Sequence, residues 1–441
     1  MTQSIAPGFE ASNTAQLDDG AEAAVLRKVT WRLLPLLMLC YAVAYLDRVN
    51  VGFAKLQMLS DLQFSETVFG LGAGIFFIGY FLLEVPSNVI LHRVGARVWI
   101  ARIMITWGVI SAGCMFISGP LMFYAMRFLL GAAEAGFFPG IILYLTYWYP
   151  SHRRARIIAV FMTAIPVSGL IGGPLSGWIM ERLSGANGWA GWQWMFLLEA
   201  VPAVLMGVVV IACLDRGIRS AAWLSDAEKA VLERAVAQEA EAKTAHPSLA
   251  RVFADPRVWW MALIYFTCVV GQYGLTFWLP TLVKSAGVSG ALQIGLLTAV
   301  PYSVAIIAMI LFGYSADRRR ERRWHLALPM LIGAFGLVGS ALAAQQTALA
   351  IGFLSIAAAG VLTCAPLFWS LPTAFLTGIS AAAGIAVINS VGNLAGFASP
   401  YMIGWLKDAT GSTDLGMYVV ATVLVLGAGI VLGVPARLVN R

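Results

Sequence analysis

Charge is scarce in this chain: Asp, Glu, Lys and Arg make up only 12% of its 441 residues. A soluble domain carries about 25%, so an ordinary water-soluble globule is excluded. Histidine is rarer still, with four copies (His92, His152, His246 and His325), all predicted in or beside loops. The five cysteines (Cys40, Cys114, Cys213, Cys268 and Cys364) fall in apolar stretches without metal-ligand spacing, which predicts buried structural thiols. The sequence offers no histidine-based nucleophile set, no metal-ligand cluster and no phosphate-binding glycine loop in a suitable context. Neither an enzyme nor a bound cofactor is expected. No Lys or Arg precedes Arg27, so the first residues lack the basic region of a signal peptide. Residues 1–26 are expected to be a short disordered cytoplasmic tail.

What the chain has instead is apolar length. Hydrophobic residues make up 60%, and runs of about 20, enough to cross a bilayer, recur along it. Twelve are predicted, near 31–52, 67–91, 97–118, 120–147, 155–180, 193–214, 258–284, 291–316, 325–344, 347–375, 379–406 and 414–436. The eleventh, rich in Gly and Ala, has the weakest hydropathy. The fold class is therefore an all-α integral membrane protein.

The net charge of +7 does not point to nucleic acid, because its distribution follows topology. Of the 29 Lys and Arg residues, 23 fall in the tail, the even-numbered loops, the central linker or the C-terminus. Four (Lys55, Arg182, Lys284 and Lys407) lie on the other side, and Arg48 and Arg127 lie within helices. Positive residues collect on the cytoplasmic side, so both termini are predicted there, in a cell inner membrane.

Residues 215–257 form the one long polar interruption. They separate an N-terminal six-helix half, 27–214, from a C-terminal half, 258–441. Within the linker, Ser225 and Glu228 have capping-box spacing ahead of an amphipathic helix. The halves echo one another: NVILHRVGAR (Asn88 to Arg97) follows the second helix and GYSADRRRERR (Gly313 to Arg323) the eighth. GGPLSGW (Gly172 to Trp178) in the fifth helix corresponds to ASPYMIGW (Ala398 to Trp405) in the eleventh. Duplicated halves of this kind typify secondary transporters, whose sites lie near the midplane between repeats.

Charges inside hydrocarbon are expensive and mark functional cavities. Asp47 and Arg48 end the first apolar run, and Arg127 and Glu134 bracket RFLLGAAE in the fourth. Arg127 and Glu134, seven residues or about 10.5 Å of rise apart, share a helix face, which makes Arg127 the expected counter-charge of Glu134. Arg48 is the first candidate for a substrate carboxylate, because a guanidinium stays charged and binds carboxylates bidentately. Asp47 points about 100° away and is expected to meet the fourth helix. Glu134 is a candidate proton carrier, its proton affinity set by burial and by a nearby arginine. Glu84 and Glu199 are expected to be structural or gating residues, with Glu199 near the far side. Asp317 and Arg318 are expected to lock helices at the cytoplasmic face. In the second half, Gln272, Tyr273, Trp278, Trp369, Ser370, Asn389 and Asn393 are candidates for a cavity wall; Asn389 and Asn393 share a face.

The GxxxDR string at Gly313–Arg318 resembles the signature of the major facilitator superfamily, although Asn88 and His92 depart from it in the first half. YLDRVNVGFA, GYFLLEVPSN, RFLLGAAEAGFFPG and WQWMFLLEAVPA resemble, more specifically, its anion:cation symporter family. That resemblance implies carriers of tartrate, sugar acids, phthalate, hydroxyphenylacetate-type aromatic acids or sialic acid, usually with protons. It implies proton coupling at Asp47 and substrate contact by Tyr273 and Asn393; the residue reading adds Glu134 as a proton carrier and Arg48, Arg127, Ser370 and Asn389 as substrate candidates. The expected partners are a small organic anion, protons and the lipid bilayer, with the protein working as a monomer and no nucleic acid involved. The glycine-rich fifth helix (Gly169, Gly172, Gly173 and Gly177) leaves organic anion exchange or uniport of the same fold as the alternative. A channel would need neither duplicated halves nor a titratable ion-pair core.

Overall fold

A computed structural model describes residues 8–241, 254–372 and 378–439, and among the described residues every regular element is helical. In lipid each backbone N–H and C=O must be satisfied within its own segment, and only helices and closed barrels achieve this. The first span comprises α1 (Gly8–Val49) and α2 (Val51–Leu62), joined at Asn50. Spans two and three are α3 (Glu66–Val94) and α4 (Ala96–Gly113). The fourth is α5 (Pro120–Glu134) with α6 (Phe137–Thr146), and the fifth is α7 (Ser151–Met162) with α8 (Ala164–Arg182). Span six is α9 (Gly191–Cys213), and the linker carries α10 (Asp226–Glu241). The second half contains α11 (Pro256–Ser285), α12 (Ala291–Arg319), α13 (Arg323–Leu342), α14 (Thr347–Phe368), α15 (Gly378–Thr410) and α16 (Asp414–Gly433), ending in the short α17 (Ala436–Val439).

Eleven of the predicted spans are long and apolar enough to cross a membrane. The remaining predicted span, the eleventh, is α15, whose 33 residues pack against α3 and α11. At about 1.5 Å per residue it reaches across a bilayer. The tail differs from expectation. Helix α1 already begins at Gly8, so residues 8–26 are helical where a disordered segment is predicted; residues 1–7 lie outside the described set. Cys213 is exposed at the end of α9, whereas the other four cysteines are buried as expected.

The two halves meet along α3 with α15 and α8 with α12. Small residues make this close approach possible. A Cβ on Gly173 would lie 2.8 Å from Gly295 O, and one on Gly295 would lie 2.9 Å from Gly173 C. Backbone meets backbone there.

The linker helix docks on the first half. Ser225 N donates to Glu228 Oε2 (2.8 Å) and Glu228 N to Ser225 Oγ (3.2 Å), closing the predicted capping box. The same carboxylate receives Lys28 Nζ at 2.9 Å. The Lys28 ammonium, helped by the Ser225 backbone, holds the Glu228 carboxyl below the usual carboxylate range. Trp223 stacks on Trp148 (5.8 Å, 13° between planes) and donates to Asp215 Oδ2 at 2.7 Å. The linker therefore defines one side of the molecule, below called the linker side; the other is the far side.

Candidate functional site: a buried double-arginine centre

Helix α5 starts with Pro120 in its first turn and stops at Glu134, because Ala135 is extended and Gly136 takes φ 86°. A side chain is excluded at Gly136 by more than its backbone angle, since a Cβ would lie 2.7 Å from Ser87 Cβ. Ser87 Oγ donates to Ala135 O at 2.6 Å and ties this break to the second span. Glu134 thus sits at a helix C-terminus, where the partial negative charge of the helix disfavours a carboxylate. A cation must compensate.

That cation is Arg48, not Arg127. Arg48 Nη2 donates to Glu134 Oε1 in a short ion pair, and Arg48 Nη1 donates to Tyr273 Oη of the opposite half at 2.9 Å. The expectation that Arg127 neutralises Glu134 is therefore corrected. Arg127 shares the helix face but turns its guanidinium toward the second span, with Nε donating to Gly72 O at 3.4 Å. It is fully buried, and among the described residues its Nη1 and Nη2 have no hydrogen-bond partner. Both guanidiniums lie by the Phe76 ring, Arg48 at 5.3 Å and Arg127 at 5.0 Å, and Arg48 also faces Tyr80 at 5.5 Å. Aromatic faces attract cations, so Phe76 offsets some of the repulsion between two like charges.

Asp47 is also corrected. Its carboxylate accepts from Trp107 Nε1 (2.8 Å) and Ser111 Oγ (3.3 Å), both in α4. The turn of about 100° from Arg48 carries it to the third span instead of the fourth. The centre therefore holds two guanidiniums and one carboxylate, which pairs with Arg48.

The second-half candidates divide. Asn389 donates to Glu84 Oε1 at 2.7 Å, and Asn393 also reaches Glu84. The shared face of the two amides is thus directed at an acid of the first half. Glu84, expected to be structural or gating, is the point where α3 and α15 meet. Gln272 donates to Tyr45 Oη at 3.1 Å. Tyr273 packs on Phe77 (4.4 Å) and Phe277 (5.6 Å), and Trp369 lies 4.9 Å from Tyr265. Ser370 stands apart from this centre: its carbonyl accepts from Arg322 Nη1 at 2.9 Å, at the linker end of α14. Asp317 and Arg318 are exposed at the linker end of α12.

Several residues escaped the sequence reading. Tyr45, Phe76 and Tyr80 look like any aromatic in an apolar helix, and only their partners distinguish them. Lys55 carried a usable signal, a charge seven residues after Arg48 within one span. Its Nζ lies 2.6 Å from Glu66 Oε2 and 3.4 Å from the Trp278 ring centroid. Lys407 Nζ reaches the other oxygen of Glu66 at 2.5 Å. Asp408 accepts from Glu66 N (3.1 Å) and Thr67 N (2.7 Å), so its carboxylate caps α3 from the other half. Glu181 Oε2 likewise accepts from Leu292 N at 3.0 Å. The halves are thus pinned together on the far side, with the double-arginine centre between them.

Two six-helix halves around a buried charged centre define a membrane carrier. The chain belongs to the Major Facilitator Superfamily, whose model matches residues 37–400. A Pseudomonas putida protein named as the metabolite transport protein NicT is 49% identical over 428 residues, covering 97% of this chain and 98% of that one. An Agrobacterium vitis protein named as a tartrate transporter is 51% identical over 408 residues, covering 92% and 90%. These names accord with the resemblance to organic anion carriers. The fold matches a solved bacterial homologue of the human lysosomal transporter Spinster in an inward-facing, occupied conformation. Its TM-score is 0.72 at 17% identity, covering 91% of this chain and 95% of that one. The protein is a multi-pass secondary transporter, not an enzyme.

Proposed function

We propose that the protein imports a small organic carboxylate by proton symport through alternating access, in a bacterial inner membrane with both termini cytoplasmic. The observation that carries this reading is the charge count of the centre: Arg48 and Arg127 are both buried, and Glu134 pairs with Arg48 alone. A buried cation needs a partner, and an incoming carboxylate supplies one. Arg48 offers it a planar donor set, and the free Nη atoms of Arg127 offer more. Tyr273 presents a hydroxyl from the second half, and Asn389 and Asn393 present amides that meet Glu84.

Coupling follows from competition for one guanidinium. When a substrate carboxylate takes Arg48, Glu134 loses its counter-charge while staying buried, and a proton on Glu134 restores neutrality. When substrate leaves, Arg48 returns and the proton is released. Asp47, held by two neutral donors, is the second proton candidate. No bound cofactor enters this cycle, and one protomer contains all of its parts.

Purified protein in liposomes tests the reading. An inward proton gradient is expected to drive uphill accumulation of an organic acid, and a panel of tartrate, sugar acids and aromatic acids identifies the class. Flux that only dissipates the solute gradient would overturn symport in favour of uniport. Uptake that needs internal anion and moves no protons would overturn it in favour of exchange.

A further inference from the structure

A second buried acid lies outside the double-arginine centre. Glu199 is the one charged residue of α9 and is 1% exposed. Its Oε1 accepts from Ser176 Oγ at 2.6 Å and its Oε2 from Asn50 Nδ2 at 3.1 Å. Asn50 stands at the N-cap of α2 yet makes no capping bond, so its side chain is committed to Glu199. Its other amide atom, Oδ1, is buried without a partner among the described residues, as is Ser168 Oγ nearby on α8.

Among the described residues no lysine or arginine forms an ion pair with this carboxylate. On the first span Arg48 is held by Glu134 and Tyr273, Lys55 by Glu66, and Asp47 by Trp107 and Ser111. On α2 Asp61 accepts from Trp192. On α4 Arg97 is bound to Ile211 O and Arg102 lies over Trp99. On α8 Glu181 and Arg182 sit at the far end, Glu181 bound to Leu292 N. An isolated ionised carboxylate in such surroundings is very costly, and the cost is removed by a proton on the group itself.

The unpaired Asn50 oxygen says where that proton goes. Amide oxygen and nitrogen are nearly indistinguishable by shape. Rotating the amide by half a turn brings Oδ1 to Glu199 Oε2, where it accepts from the protonated carboxyl. One rotation thus gives the added proton an acceptor, while Nδ2 takes the place of Oδ1 at the crevice. Access is also built in. Asn50, Ser168 and Ser176 line a narrow crevice whose other wall is Thr276, Thr298 and Tyr302 of the second half. Parting the halves on the far side wets this crevice, and closing them seals it.

We propose that Glu199, with Asn50 and Ser176, is a second proton-binding site, loaded from far-side water and sealed when the halves close. A water-borne proton adds to Oε2, the Asn50 amide turns over, and no other bond is made or broken. Its role in transport rests on the proton-coupled reading above, but its occupancy does not.

Infrared difference spectroscopy of the purified full-length protein provides the test. A protonated-carboxyl carbonyl band is expected in the wild type, lost in Glu199→Gln and retained in Glu134→Gln and Asp47→Asn. Absence of any band assignable to Glu199 in a folded Glu199→Gln comparison would overturn the site. A second readout uses spin labels at Ser60 and Ser289, exposed on the far side of opposite halves. In Glu199→Gln, far-side closure is expected to lose part of the pH dependence seen in the wild type. Unchanged pH dependence would overturn the seal. If the wild type accumulates solute without protons, the symport reading falls while the infrared result still decides occupancy.

Discussion

Replacing Glu66 by Gln should open the far side. In the structure one carboxylate lies between two ammonium groups, Lys55 at 2.6 Å and Lys407 at 2.5 Å, one from each half. The Glu66 side chain is 18% exposed and that of Lys55 only 3%. Removing one partner of a fully buried pair costs about 3–5 kcal/mol, whereas an exposed pair is worth about 0–1. A figure of about 2 kcal/mol is reasonable for this partly exposed triad, and at 1.4 kcal/mol per decade it changes the ratio of open to closed populations about 30-fold. The cost falls on the closed state, because parting the halves lets both lysines reach water. Distances between spin labels at Ser60 and Ser289, in a background without the native cysteines, report that ratio. Lys55→Met is the control. It removes the ammonium from the Trp278 face, but Glu66 keeps Lys407, so a much smaller shift is expected. An unchanged distance distribution in Glu66→Gln, or equal opening in Lys55→Met, refutes the electrostatic argument.

Other outcomes follow from the centre and the packing. Arg48→Ala should weaken substrate binding about ten- to hundredfold, the value of a charge-assisted contact; wild-type affinity by thermal shift or calorimetry would remove Arg48 from the site. Glu134→Gln should abolish uphill, proton-driven uptake while sparing counterflow of labelled solute, and full uphill uptake with normal pH dependence would exclude it as a carrier. At Gly177 a Cβ would already lie 3.0 Å from Leu292 Cα, so Gly177→Leu should cost at least about 1–3 kcal/mol by overpacking, read as a lower midpoint of thermal unfolding. Because Glu228 is held below the usual carboxylate range by Lys28, its contribution to linker docking is present above the ordinary carboxylate pKa. It is lost as pH falls through the depressed one. Hydrogen-exchange protection in Asp226–Glu241, taken relative to the intrinsic rate at each pH, should therefore fall on acidification, and Lys28→Ala should lower it already at neutral pH.

The fold was legible because the bilayer imposes length and hydropathy on every span. The eleventh span, α15, was the least secure in sequence for its Gly and Ala content, and in the fold it packs against both α3 and α11. The residues of the charged centre were legible for the same reason, as charges stand out in hydrocarbon. Their pairing was not. Helical periodicity assigns faces within one span, which is why Arg127 and Glu134 looked like partners, but which neighbour a face meets is set by packing between spans. Asp47 illustrates the limit: its departure from the Arg48 direction was readable, whereas the identity of α4 as its destination was not. Asn50, Ser176 and Glu199 come from three spans, and no local spacing joins them.

Arg48 and Lys55 are seven residues apart on the first span, two helical turns or about 10.5 Å of rise. Their side chains meet Tyr273 and Trp278 of the same facing helix. This spacing makes the intervening segment intolerant of changes in length. Adding or deleting one residue between them turns one of the two cations by about 100° away from the second half. Among descendants of this carrier, the stretch from Val49 to Ala54 is therefore expected to keep its count of residues, with Asn50 held by Glu199 and Gly52 held by the backbone of Phe277.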